Sequence, residues 1–358
     1  MPSLKEIKGR INSISSTLAI TSAMKMVASA KLQKAQMAIQ NMLPYERRLY
    51  SMLLDLMGAM NISAAASEDG SVRGSGSAER GFDQSGDRLS LSNRHDLAGM
   101  DGAYSLMAQR EVRKVAIVAF ASNSSLCGAF NSNVIREATA VINEYRASGL
   151  RDSDIVVYSV GRKMAEAMRK LGFPSPADFT KMSDSPSYEA ASALAQELLD
   201  GFVSGRFDKV ELVYNHYKST SSQPTTRQTY LPLSLADATA DIQVGKITDS
   251  ASESDTNRGA EPVGAPVVRQ GSPTTEDLIV EPSKEALIAT LLPKVVRLRI
   301  FTTLLDSAAA EHAARTVAMQ LATDNGNDLL QELTLEYNKG RQQKITSEIL
   351  DLVGGSMQ

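Results

Sequence analysis

Apolar residues recur at alternating steps of three and four through the amino-terminal part of the chain, starting at Leu4. Only Thr21, Lys25 and Glu46 interrupt this spacing. A 3-4 alternation of this length is typical of a left-handed coiled coil. It predicts a helix over about residues 3–57, which at about 1.5 Å per residue would be roughly 80 Å long. Because one domain of this size cannot bury that length, the helix needs a partner.

A second helical pattern begins at Ser283 and ends near Gly354 and Gly355, because glycine commonly terminates helices. Its middle is rich in alanine, which allows another helix to approach closely. Pro44 in the first pattern and Pro293 in the second predict a kink or a break in each helix. The two ends of the chain therefore predict an antiparallel helical hairpin.

Residues 112–235 alternate between short apolar runs and helical patterns. Strands separated by helices favour a mostly parallel sheet. The predicted strands are Val112–Phe120, Ile155–Val160, Val210–Tyr214 and Thr226–Leu233, and the predicted helices are Asn131–Ala147, Arg162–Leu171 and Ser187–Val203. The predicted fold class is α/β with long helices, in which a Rossmann-like α/β domain is inserted into an antiparallel coiled-coil hairpin of the terminal helices.

Composition divides the chain into four segments. They are an amino-terminal coiled-coil helix (1–60), a flexible insertion rich in glycine and serine (61–110), the α/β domain (111–282) and a carboxy-terminal coiled-coil helix (283–358). The α/β domain contains a polar acidic insertion at about 237–277, whose net charge is −5. A short helix near 97–109 and a brief return to the sheet at 278–280 complete the prediction.

Charge and cysteine content narrow the function classes. Residues 1–34 carry a net charge of +5 although the whole chain carries −3, so this stretch favours an acidic partner. Nucleic acid is not favoured, because no aromatic residue lies among these lysines to stack on a base. The only cysteine is Cys127, which excludes an internal disulfide and favours a reducing compartment. The chain shows neither a transmembrane run nor a secretory or transit leader, which predicts a bacterial cytoplasmic location.

The sequence contains only weak indications of a catalytic or ligand-binding site. The sequence predicts no catalytic, cofactor or metal site, and the three histidines are scattered without metal-ligand spacing. The loop 121–128 follows the first predicted strand, where doubly wound sheets bind ligands, and Gly128 would open a helix N-terminus to an anion. A tight turn explains the same residues without a ligand. Cys127 is either a nucleophile or, as its apolar neighbours favour, a small core residue.

Two helical segments do not resemble plain coiled coil. Residues 24–31, MKMVASAK, place Lys25 at a seam position between Met24 and Met26. This lysine is either solvated beyond the end of the partner helix or part of a contact surface. Residues 337–351 combine many polar groups with a narrow apolar stripe. That mixture suits either a frayed tail or a helix tip held inside a partner.

These segments resemble motifs of the gamma-subunit family of F-type ATP synthases. The resemblance rests on MKMVASAK, on the terminal ITSEILDLVGG, and on the order of helix, α/β domain and helix. It covers most of the chain outside 61–110 and 237–277. The loop 122–128, SNSSLCG, departs from the family's usual Ser-Asp-Arg-Gly-Leu-Cys-Gly because the Asp, the Arg and the first Gly are absent. A single cysteine also excludes the thiol switch of plant-chloroplast members.

The resemblance implies a non-catalytic rotor shaft that couples proton flow to the conformational cycle of catalytic beta subunits. The implied partners are the ring of alpha and beta subunits, the epsilon subunit and the membrane c-ring, with no cofactor and no nucleic acid. The implied location is the cytoplasmic face of a bacterial inner membrane, reached only through the complex. The residues implied to contact beta are Met24, Lys25, Met26, Arg315, Arg341, Gln342, Thr346 and Glu348.

Two other functions remain open from the residues alone. The first is a small α/β enzyme with helical arms, which the missing phosphate-binding loop disfavours. The second is a coiled-coil adaptor without a rotary role, which predicts self-association of the isolated chain and leaves the carboxy-terminal motif unexplained.

Overall fold

The computed structural model of the chain describes residues 3–58, 106–233, 281 and 283–355. Helix α1 (Leu4–Gly58) and helix α6 (Lys284–Gly355) lie at the two ends of the sequence, and a smaller α/β domain lies between them. The strands of this domain are β1 (Val115–Phe120), β2 (Ile155–Val160), β3 (Lys209–Asn215) and β4 (Thr225–Leu231). Its helices are α2 (Phe130–Ala147), α3 (Arg162–Lys170), α4 (Thr180–Asp184) and α5 (Tyr188–Val203), with a short 3-10 turn at Asp152–Asp154.

The four strands form one sheet in the order β2-β1-β3-β4. Strand β1 is parallel to both of its neighbours, with Val115 opposite Ile155 on one side and Lys209 on the other. Strand β4 is antiparallel to β3. Every residue of β1 is buried, as expected for the central strand of a sheet covered on both faces. The predicted mostly parallel sheet is therefore confirmed.

Successive residues of β1 face opposite layers of the domain, because side chains alternate along a strand. Ile117 and its alternate neighbours pack with α2 and α3, through residues such as Val134 and Met164. Val118 lies in the other cluster, where α5 meets the first turns of α6 and the end of α1. Leu53 from α1 is fully buried there. The long helices and the α/β domain thus share one hydrophobic core.

The two long helices pack against each other in opposite directions. Residue numbers rise along α1 as they fall along α6 through a series of paired contacts. The pairs are Leu4 with Gly340, Leu18 with Gly326, Thr21 with Thr323, Leu32 with Ala309 and Ala313, Glu46 with Thr302, and Tyr50 with Arg299. This register aligns the start of α1 with residue 340 of α6, so the last turns of α6 extend beyond α1.

Proline does not divide either long helix. Helix α1 continues through Pro44 and helix α6 through Pro293, so the breaks that the sequence allowed are absent. A proline inside a helix removes one backbone hydrogen bond and crowds the preceding turn. Here packing compensates, because Leu49 and Tyr50 bury against Val295 and other residues of α6 close to both prolines. The remaining boundaries of α1 and α6 agree with the predicted ones within about two residues.

Several predicted segments lie outside the described residues. These are nearly all of the insertion at 61–110, including most of the short helix near 97–109, the acidic insertion at 237–277, and the short strand at 278–280. The described end of the short helix, residues 106–109, forms a turn followed by irregular chain instead. The domain boundaries drawn from composition stay predictions.

A buried carboxylate joins β3, β4 and α2. The side chain of Glu211 accepts hydrogen bonds from Tyr145 Oη at 2.7 Å and Arg227 Nε at 2.7 Å, and it pairs with Lys209 Nζ at 2.6 Å. Burial alone would raise the pKa of Glu211, but the hydrogen bonds from Arg227, Lys209 and Tyr145 lower it below its ordinary value. Arg227 also pairs with Glu144 on α2. The carboxylate therefore stays charged and ties the antiparallel edge of the sheet to the helix layer.

Glycine at the contact between the long helices sets how closely they approach. A methyl group at Gly326 would lie 2.6 Å from Leu18 Cδ2, whereas one at Gly9 would meet nothing within 4 Å. We expect Gly326→Leu to lower the free energy of unfolding by about 1–3 kcal/mol, because overpacking forces the helices apart. The matched variant Gly9→Leu is expected to raise it by up to about 1 kcal/mol through helix propensity. Urea unfolding followed by circular dichroism measures both, and equal shifts in the same direction would contradict the close packing.

Candidate partner-binding surfaces of the long helices

The predicted contact residues on α1 lie partly on an open face of the helix. Met24 is 41% exposed and Met26 is 66% exposed, while Ala28, one turn beyond Met24, is buried. Lys25 is half-buried at the seam, in line with Thr21 and Ala28. The interpretation of Lys25 as a lysine beyond the end of the partner helix is wrong, because α6 runs alongside α1 as far as Leu4. Ile20, Met24 and Val27 follow one another at steps of four and three residues and form an exposed apolar strip, while Met26 is exposed on the opposite flank of the helix.

Arg315 is largely buried and bonded within the chain, whereas a residue that only contacts a partner would be exposed. Its side chain is only 17% exposed and pairs with Glu311 at 2.8 Å. Its Nη2 also donates to Ser124 Oγ at 2.8 Å, in the loop after β1. Burial raises the pKa of the Glu311 carboxyl, and the neighbouring guanidinium of Arg315 opposes that shift. Arg315 therefore joins α6 to the α/β domain within the chain itself.

The other four predicted contact residues lie on the last turns of α6. Arg341, Gln342, Thr346 and Glu348 are all exposed. Their contacts are local: Thr346 Oγ1 donates to the carbonyl of Gln342 at 2.9 Å, and Glu348 lies 3.8 Å from Lys344. The same turns expose large apolar side chains between 47% and 74%, namely Ile345, Ile349, Leu350, Leu352 and Val353. This segment, residues 341–355, is called the tip below.

The predicted residues form two surfaces and not one. Residues 24–26 face the part of α6 between the contacts at Ala313 and Thr323. The tip begins about twenty residues further along α6, which at about 1.5 Å per residue is roughly 30 Å away. A partner that contacts both surfaces must therefore extend along the helices or consist of more than one subunit.

Sequence reasoning missed a set of polar side chains that fasten the α/β domain to the long helices. Asp306 on α6 accepts a hydrogen bond from the backbone N–H of Tyr217 at 2.9 Å and lies 2.6 Å from His216 Nδ1. The hydroxyl of Tyr217 accepts a hydrogen bond from Gln36 Nε2 at 2.6 Å. The available signal was a run of polar positions on an otherwise apolar stretch of α6, since Thr303, Ser307 and Glu311 are also buried.

The loop after β1 lies beside α6. Gly128 has φ +59°, and a methyl group placed on it would lie 3.9 Å from Ala318 on α6. Cys127 is 1% exposed and packs with Phe130 and Ala310, so the core interpretation of this cysteine is confirmed. Across residues 3–58, 106–233 and 283–355, no group of three or more metal-ligating side chains occurs. In the same ranges no helix has the length and apolar character needed to cross a bilayer.

Comparison with known proteins identifies the family. The sequence matches the ATP synthase family over residues 3–357. It is 47% identical over 357 residues to the ATP synthase gamma chain of Phocaeicola vulgatus, with 100% of both chains covered. The chain belongs to the ATP synthase gamma chain family. The gamma chain of Bacteroides thetaiotaomicron is 45% identical over 358 residues, again with 100% of both chains covered. The resemblance noted in the sequence is thereby confirmed.

A solved structure agrees with the fold. A chain from the cryo-EM structure of the Euglena gracilis mitochondrial ATP synthase aligns with a TM-score of 0.52 at 19% identity. The alignment covers 99% of this chain and 93% of that chain. The fold of this chain, with its two long helices and mixed parallel and antiparallel sheet, is therefore similar to that of a solved chain.

Membership of the gamma chain family defines the role of the molecule. The chain is the central rotor shaft of an ATP synthase, a subunit that couples rotation to ATP synthesis and carries no catalytic site. It is a component of a membrane-bound complex, and the relatives at 45–47% identity are bacterial. The hypothesis of an independent α/β enzyme is therefore wrong.

Proposed function

We propose that α1 and α6 form a left-handed antiparallel coiled coil that turns inside a ring of three alpha and three beta subunits. The apolar spacing along α1 and the antiparallel pairing of the two helices support this geometry. The proposed turning shaft is asymmetric, so each beta subunit meets a different face of it. Rotation then changes which conformation of each catalytic site is favoured, through differences in contact free energy.

The observation that carries the proposal is the exposed apolar tip of α6. Monomeric soluble proteins rarely leave large apolar side chains clustered in the open, and such patches mark interaction sites. The tip also presents Arg341, Gln342, Thr346 and Glu348, which supply donors and acceptors for a partner. We assign these four residues to contacts with beta. A rotating tip needs both apolar and polar side chains, because it must exchange contacts with successive subunits.

The second proposed contact with beta is the strip around Met24, Lys25 and Met26. Methionine side chains are flexible and adapt to changing apolar partners, and the net charge of +5 over residues 1–34 suits an acidic loop on beta. Arg315 is assigned to the same partner. Its guanidinium has five N–H donors in a planar fork, so it can bind a carboxylate of beta while Glu311 and Ser124 hold it.

The α/β domain is assigned to the membrane side of the complex. We propose that it contacts the epsilon subunit and the c-ring, at the cytoplasmic face of a bacterial inner membrane. The support is the geometry of the long helices, whose free ends project away from the domain. With the tip inside the ring of alpha and beta, the domain must lie at the opposite end of the shaft.

Co-expression with the alpha and beta subunits of the same organism tests the proposal. Purification through a tag on beta is expected to yield a complex with three alpha, three beta and one copy of this chain that hydrolyses ATP. A chain truncated after residue 340 serves as the matched control and is expected to reduce the yield of complex, since it lacks the tip. A full-length chain that stays outside the ring and self-associates would support the adaptor hypothesis instead.

A further prediction concerns residues 65–100, which lie outside the described residues. Their composition, rich in glycine and serine, is typical of a linker. We expect that deleting them leaves assembly with alpha and beta intact, as measured by the stoichiometry of the complex purified through beta. Failure of the deleted chain to join the ring would show that this segment contributes to the interface.

A further inference from the structure

Arg315 on α6 is bonded to two different elements through the same nitrogen. Its Nη2 lies 2.8 Å from Glu311 Oε1, one turn earlier on the same helix, and 2.8 Å from Ser124 Oγ in the loop after β1. An ion pair between residues four apart on one helix contributes little by itself. An acceptor on a second element fixes the direction of the guanidinium, because its planar N–H groups have a rigid geometry.

The loop that carries Ser124 is itself fixed to three helices. The fully buried Ser122 donates from its hydroxyl to the carbonyl of Ser124 at 2.6 Å, and Asn131 Nδ2 on α2 donates to the same carbonyl at 3.3 Å. Asn123 Oδ1 accepts from the first backbone N–H of α3 at 2.8 Å, and its Nδ2 donates to the carbonyl of the first residue of α4 at 2.7 Å. The Ser124 hydroxyl is therefore held in place before Arg315 binds it.

Most of the Arg315 guanidinium remains available for a further acceptor. A guanidinium has five N–H donors, and both contacts within the chain use Nη2. Across residues 3–58, 106–233 and 283–355, its Nε and Nη1 donate to no other group. The side chain is 17% exposed and neither of these nitrogens is fully buried. Three N–H groups can therefore bind an acceptor on another subunit.

A guanidinium that the chain already holds binds a partner with a smaller loss of freedom. A free arginine side chain loses much of its rotamer freedom when it binds. In the proposed rotation, Arg315 must make its contact anew with each of three beta subunits. Because Glu311 and Ser124 order the side chain during folding, less freedom is lost at each of these contacts.

We propose that Ser124 is a positioning residue for rotary coupling. Its hydroxyl and the Glu311 carboxylate together hold the Arg315 guanidinium so that Nε and Nη1 meet a carboxylate of beta. Ser124 acts through Arg315 and makes no contact with beta in this role. The usual family motif has an arginine at this position, which offers no acceptor, so the link requires the serine of the present chain. The inference rests on the proposed contact of Arg315 with beta.

The test is the ratio of proton pumping to ATP hydrolysis in membrane vesicles that contain the whole synthase. Ser124→Ala is expected to lower this ratio about two- to fivefold, the change in the ordered population of Arg315 that loss of one partly exposed hydrogen bond produces. Ser125→Ala is the matched control, because this next residue of the loop is exposed and its hydroxyl bonds to no described residue. Ser124→Thr keeps a hydroxyl and is expected to restore the ratio.

A double variant separates positioning from a structural role. Arg315→Gln is expected to lower the ratio at least as much as Ser124→Ala, because it removes the cation. In the Arg315→Gln chain, adding Ser124→Ala is expected to lower the ratio no further, since the serine then has no guanidinium to hold. A structural role of Ser124 would instead lower the yield of complex and add to the effect of Arg315→Gln.

Two results would overturn the inference: a Ser124→Ala synthase as well coupled as Ser125→Ala, or an equal fall of the ratio with and without Arg315. If Ser124→Ala does not assemble, Glu311→Gln decides, because it weakens the other bond of the same guanidinium and keeps the size of the side chain. A Glu311→Gln ratio equal to that of the unmodified chain would again overturn the inference. An Arg315→Gln synthase that stays fully coupled would refute the proposed contact of Arg315 with beta, and the inference with it.

Discussion

Glu211→Ala is expected to lower the free energy of unfolding by about 2–3 kcal/mol, because it removes a buried carboxylate, leaves Lys209 without this partner and leaves Arg227 with Glu144 alone. Lys209 and Arg227 both bind this carboxylate, and Tyr145 donates to it. Urea unfolding of the purified chain, followed by circular dichroism, measures the loss. The matched control is Glu144→Ala, which removes the other carboxylate that pairs with Arg227. Its side chain is 60% exposed, so its loss is expected to cost about 1 kcal/mol or less.

The effect of Glu211 also depends on pH. The pKa of this carboxyl is lower in the folded chain than its ordinary value of 4.5, since hydrogen bonds from Arg227, Lys209 and Tyr145 outweigh the effect of burial. Its contribution to stability is therefore complete above about pH 4.5 and is lost as the pH falls through the lower, folded pKa. We expect the difference between Glu211→Ala and the unmodified chain to shrink on acidification. A difference that grows would show that the carboxyl is neutral in the folded chain.

Met24→Lys is expected to impair the coupling of ATP hydrolysis to proton pumping and to leave assembly nearly unchanged. Met24 is 41% exposed and lies on the flank of α1 beside the seam. The hairpin therefore tolerates the change. The new lysine would lie beside Lys25 and opposite the acidic loop proposed on beta. An added ion pair of about 1 kcal/mol would favour one rotational position by about fivefold.

The measurement is the ratio of proton pumping to ATP hydrolysis in membrane vesicles that contain the whole synthase. We expect this ratio to fall in Met24→Lys, by at most about fivefold, which is the largest population bias that one added ion pair of this strength produces. Met24→Leu is the control, since it keeps an apolar side chain of similar volume and is expected to keep the ratio. A fully coupled Met24→Lys enzyme would exclude this part of α1 from the contact with beta.

The sequence was most informative where periodicity is long. The spacing from Leu4 onward and the pattern after Ser283 predicted both long helices within about two residues of their observed ends. The buried central strand was equally clear, because β1 is a short β-branched and apolar run. Pro44 and Pro293 misled the prediction of breaks, since local propensity was outweighed by packing between distant parts of the chain.

The candidate surfaces were only partly predictable. Exposure of the tip followed from its weakened apolar stripe, whereas the inward orientation of Arg315 did not follow from any spacing. Its partner Ser124 lies far from it in the sequence, and a single sequence contains no signal for such a contact. For the hydrogen bonds of Asp306 with His216 and Tyr217, the sequence contained only a partial signal, the run of polar positions on an otherwise apolar stretch of α6.

The unequal lengths of the long helices make the shaft taper. The first turn of α1 lies beside residue 340 of α6. Beyond residue 340, α6 continues as a single helix for about 22 Å, at about 1.5 Å per residue. Resistance of a rod to bending rises steeply with its thickness. The paired region is therefore stiff, while the single helix at its end bends more easily. It can adjust to small departures of the surrounding partner from circular symmetry.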